Sequence, residues 1–67
     1  MNFINLKKVV AVSHFNMAVE YEHLQNPIEA ELQYKRANAV LRGIEENYQD
    51  SSFLKVIEES LEKVREG

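Results

Sequence analysis

The chain has 67 residues, no cysteine and a formal net charge of -3, which confines it to one small domain without disulfides or thiolate metal sites. Two glycines and one proline among many charged residues argue against a turn-rich β fold and against disorder, and favour helix. The only adjacent basic residues are Lys7–Lys8 and Lys35–Arg36, too few for the cationic stripe that nucleic-acid binding needs, so no nucleic-acid partner is expected.

A core built from so short a chain rarely supplies more than about 3–5 kcal/mol. A self-association surface, or a neighbouring domain, is therefore expected to complete it. The apolar run Val9–Val12 is broken by Ser13, His14 and Asn16. That is too short for a signal segment or a membrane span, and the expectation is a soluble, cytoplasmic chain without membrane contact.

A first helix is predicted over residues 6–24, with Asn5 as its N-cap. At about 100° per residue it carries two apolar stripes. Leu6, Val10, Met17, Ala18, Tyr21 and Leu24 form one, assigned to the core. Val9, Val12, Phe15 and Val19 form the other, and a helix with two stripes is either sandwiched or left open on one side for a partner. Gln25–Asn26–Pro27 then punctuates the chain. Asn26 suits an N-cap, Pro27 suits the first helical position, and Glu29 stands where a capping box places an acid. So short a connection makes the two helices antiparallel neighbours.

The second helix is predicted over 27–47. Ala30, Tyr34, Ala37, Leu41, Ile44 and Tyr48 lie on one stripe in which small and large residues alternate, letting a partner backbone approach at the alanines. Gly43 interrupts that stripe and is a place for the helix to bend or end. Ile28, Leu32 and Ala39 form a thinner apolar strip on its back. Asp50 or Ser51 caps a third helix over 51–65, whose single stripe is Phe53, Leu54, Ile57, Leu61 and Val64. Lys55–Glu59 and Glu59–Lys63 are spaced to pair on its wet side.

Nothing in the residues argues for catalysis. Ser13 and His14 point about 100° apart on a helix and cannot act as a couple, and there is no glycine-rich phosphate loop. Glu20 and His23 have the E-x-x-H spacing of di-iron bundles, but that chemistry needs the motif twice with further inward glutamates. A solvated face explains the pair better. His14, at the edge of the core stripe, reads as a packed histidine. No enzyme activity, metal or cofactor is expected.

The hairpin from Ala11 to Leu41 resembles a tetratricopeptide repeat, a helix–turn–helix unit of about 34 residues that occurs in tandem. The family's small and aromatic positions fall on Ala18 and Tyr21 in the first helix and on Ala30, Tyr34 and Ala37 in the second. His14 stands where a large aromatic is usual, Gln25 where a turn glycine is common, and no proline follows near Arg42. The resemblance implies a third helix that caps the unit, and either the end of a longer array or a unit completed by another copy of itself. It also implies that the ligand-facing surface lies on the first helix, at Val12, Phe15, Val19, Glu22 and His23. Some members grip a partner's terminal carboxylate with Lys and Asn. Phe15 and Val19 take those places here, leaving an apolar groove suited to an amphipathic peptide or to a second copy in a homodimer.

The expected fold is therefore all-α: a three-helix, tetratricopeptide-like antiparallel hairpin with a C-terminal capping helix, acting in protein–protein interaction or scaffolding. Two other readings fit the same pattern. One is a microtubule-interacting-and-trafficking-like three-helix bundle that binds helical tails. The other is a homo-oligomerisation hairpin with no other ligand, although the seam of the third helix is too short to argue a coiled coil.

Overall fold

The computed structural model describes residues 3–44 and 46–66. The fold is all-α. Helices α1 (Phe3–His23), α2 (Pro27–Arg42) and α3 (Ser51–Glu66) follow one another, with a 3-10 turn at Glu46–Tyr48 before α3. α2 lies between the other two. It packs along α1 through the hairpin and receives α3 on its other side.

The α1–α2 turn works through two interlocked caps. The Asn26 N–H donates to Tyr21 O at 2.8 Å and the Gln25 N–H donates to Glu22 O at 3.0 Å, the bond pair of a Schellman motif that closes α1. Gln25 holds the left-handed position at φ 56, where glycine is the usual occupant. Asn26 then starts α2, its Oδ1 accepting from the Glu29 N–H at 3.4 Å, with Pro27 in the first turn. The predicted Asn26 cap and first-turn Pro27 are therefore present, with Asn26 serving both helices, but Glu29 closes no capping box, because the Asn26 N–H is taken by Tyr21 O.

α1 starts at Phe3, ahead of the predicted Asn5 cap, and Asn5 lies inside it. α2 stops at Arg42 instead of reaching residue 47. Gly43 forms the end in an ordinary right-handed conformation, and its N–H bonds back to Ala39 O at 3.1 Å. Ile44 is still buried beyond that end, with its carbonyl accepting from Gln49 Nε2 at 3.0 Å, whereas Tyr48, last on the predicted stripe, is exposed. At the start of α3, Asp50 Oδ1 accepts from the Phe53 N–H at 3.0 Å, so Asp50 is the cap.

Ala11, Ala18, Ala30 and Ala37 are fully buried and let α1 and α2 approach closely. Tyr34, Leu41, Ile44, Leu54, Ile57 and Leu61 fill the rest of the core, with Ile4, Phe15, Val19, Tyr21, Phe53 and Val64 packed against it. Of the expected seam, Ala18, Ala30, Tyr34 and Ala37 are buried and Tyr21 is half-buried at its edge. Surface ion pairs tie α2 to α3 at Arg42–Glu58 and at Arg65–Glu31, 3.4 Å, while Lys35–Glu31 closes within α2 at 3.0 Å. The expected Lys55–Glu59 and Glu59–Lys63 pairs do not form. Exposed pairs of this kind are each worth about 0–1 kcal/mol.

Candidate functional site

The fold divides both apolar stripes of α1, against the sequence expectation. Of the stripe assigned to a partner, Phe15 and Val19 turn inward while Val9 and Val12 stay exposed. Phe15 is half-buried and makes edge-on ring contacts with Tyr34 of α2 at 5.5 Å and Phe53 of α3 at 5.3 Å, so it joins all three helices. Val19 packs against the same core. Glu22 is half-buried and accepts a hydrogen bond from the Tyr34 hydroxyl. Of the five residues expected to face a partner, only Val12 and His23 are exposed, at the rim of this inward face. Phe15, Val19 and Glu22 are turned to the chain's own interior, because Phe53 of α3 closes over the side of α1 that a bare hairpin would leave open.

Of the stripe assigned to the core, Ala18 is buried and Tyr21 half-buried, and the four aliphatic members are open. Leu6 is 49% exposed, Met17 41% and Leu24 72%, with Val10 and Phe3 exposed beside them. At about 100° per residue these residues share one side of α1, roughly 110–130° from the buried alanines in the case of Leu6, Met17 and Leu24. Two apolar hollows lie at the ends of this face. One, toward the start of α1, is formed by Phe3, Leu6, Lys7 and Val10 against Ala39 and Val40 of α2 and Gly43 just past its end. The other, toward the hairpin turn, is formed by Asn16, Met17, Glu20, Tyr21 and Leu24. Lys7 sets its ammonium 4.9 Å from the centre of the Phe3 ring, and Ser13, midway along, donates its hydroxyl to Val9 O at 3.0 Å. On α2, Ile28 and Leu32 are also exposed.

Two polar contacts inside the hairpin left no mark in the sequence pattern. Gln33 is buried, and its Oε1 and His14 Nδ1 are hydrogen-bonded at 2.8 Å. The predicted packed histidine is thus half-buried, with a partner. The Tyr34–Glu22 contact is the second. Burial, and then the carboxylate beside it, push the Tyr34 hydroxyl up to about 12, while a hydrogen-bonding influence from Ser60 of α3 acts the other way. Elsewhere Lys35, with Arg65 in support, holds the Glu31 carboxyl below its ordinary range.

Glu20 and His23 are both exposed, and among the described residues no group of three His, Asp or Glu side chains gathers in a way that would hold a metal. No helix among the described residues is long and apolar enough to cross a membrane. No family model, curated protein or solved structure matches the chain.

Proposed function

We propose that the chain acts by protein–protein contact, through the open face of α1. The observation that carries this is the run of exposed Leu6, Val10, Met17 and Leu24 on one side of a helix whose opposite side is already packed. Single exposed apolar residues are ordinary, but an aligned row of them with a hollow at each end is the kind of surface that partners cover. The small core, rich in alanine, supports the same reading, since any partner that binds only the folded chain adds to its stability.

On this reading the hairpin is tetratricopeptide-like in its alanine and tyrosine seam, but its contact surface is on the side away from the one that resemblance implies. The chain then works as a scaffold or assembly unit by binding alone, with an amphipathic protein segment or another copy as the occupant.

Met17→Glu tests the proposal. Met17 is largely exposed, so the helices should remain, as judged by far-UV circular dichroism. The charge should abolish whatever association the wild-type chain shows, either with itself in sedimentation or with a protein it retains from a lysate. A wild-type chain that stays monomeric and retains nothing that the variant loses would refute it.

A further inference from the structure

We draw no further inference here: the strongest candidate, the open apolar face of α1 at Leu6, Val10, Met17 and Leu24, belongs to the surface already described, and nothing in the structure shows what covers it.

Discussion

Replacing Phe15 by alanine discriminates most sharply between a partner-facing Phe15 and one built into the fold. Truncating a buried phenylalanine costs about 3–5 kcal/mol, and an edge-on aromatic pair adds about 0.5–1.5 kcal/mol beyond the area it buries. Phe15 is half-buried, which lowers the first figure, but it makes two such pairs, with Tyr34 and Phe53. A cost of about 3 kcal/mol is the resulting expectation. A chain of this size has about 3–5 kcal/mol in total, so Phe15→Ala should retain at most about 2 kcal/mol. At about 4–8 °C per kcal/mol the midpoint falls by roughly 12–24 °C. Thermal melts by far-UV circular dichroism, at matched chain concentrations, measure it. Met17→Ala is the control, and at low concentration it should cost under about 1 kcal/mol. If Phe15→Ala melts within about 5 °C of the wild type, or if the two substitutions cost the same, Phe15 does not join the three helices as described.

Three further substitutions probe the turn, the end of α2 and the buried hydroxyl. Gln25 occupies a left-handed position that costs an L residue about 1–2 kcal/mol, so Gln25→Gly should raise stability in urea by about 0.5–1 kcal/mol; a loss would mean that the Gln25 side chain makes a contact worth more than the strain. Gly43 is right-handed, and an added methyl would meet the Val40 and Ala39 carbonyls only at ordinary distances, 3.4 and 3.5 Å. Gly43→Ala is therefore expected to stabilise by about 0.4–1 kcal/mol, checked by the same urea titration. Tyr34 has a folded pKa raised to about 12 against an unfolded value near about 10, so its neutral hydroxyl contributes fully below pH ~10, and that contribution is lost as pH rises through 10 to 12. Tyr34→Phe should flatten the fall in stability across that window, and equal slopes for the two chains would contradict the raised value.

The third helix was the most legible part of the chain. It has one apolar stripe, and all five residues on it face the core, Leu54, Ile57 and Leu61 buried and Phe53 and Val64 partly so. The hairpin turn was legible for a different reason: Asn26 and Pro27 have local preferences that hold before any packing. The end of α2 was harder. The apolar period runs on through Ile44 and Tyr48, but Gly43 ends the helix, and a residue beyond a helix end can still bury its side chain. The pairs His14–Gln33 and Tyr34–Glu22 were not legible at all, because hydrophobic periodicity carries no information about which polar groups meet across two helices.

The division of the α1 stripes has a physical cause that the residues do contain. Leu6, Val10, Met17 and Leu24 share a helical period with Ala18 and Tyr21, and period alone does not say which members of a broad stripe meet the neighbour. Close approach decides it. α2 presents Ala30 and Ala37, and its backbone can approach α1 closely only where α1 is also small. Ile4, Ala11 and Ala18 fall seven apart, nearly in line along α1, and the two alanines are fully buried. Once that line is taken as the axis of contact, the flanking positions follow from the helical angle: Phe15 and Glu22 on one side, His14 and Tyr21 on the other. Leu6, Met17 and Leu24 are then left outside, because a helix of this radius cannot turn both sets toward one neighbour. The row left outside is a geometric consequence of close approach at the alanines.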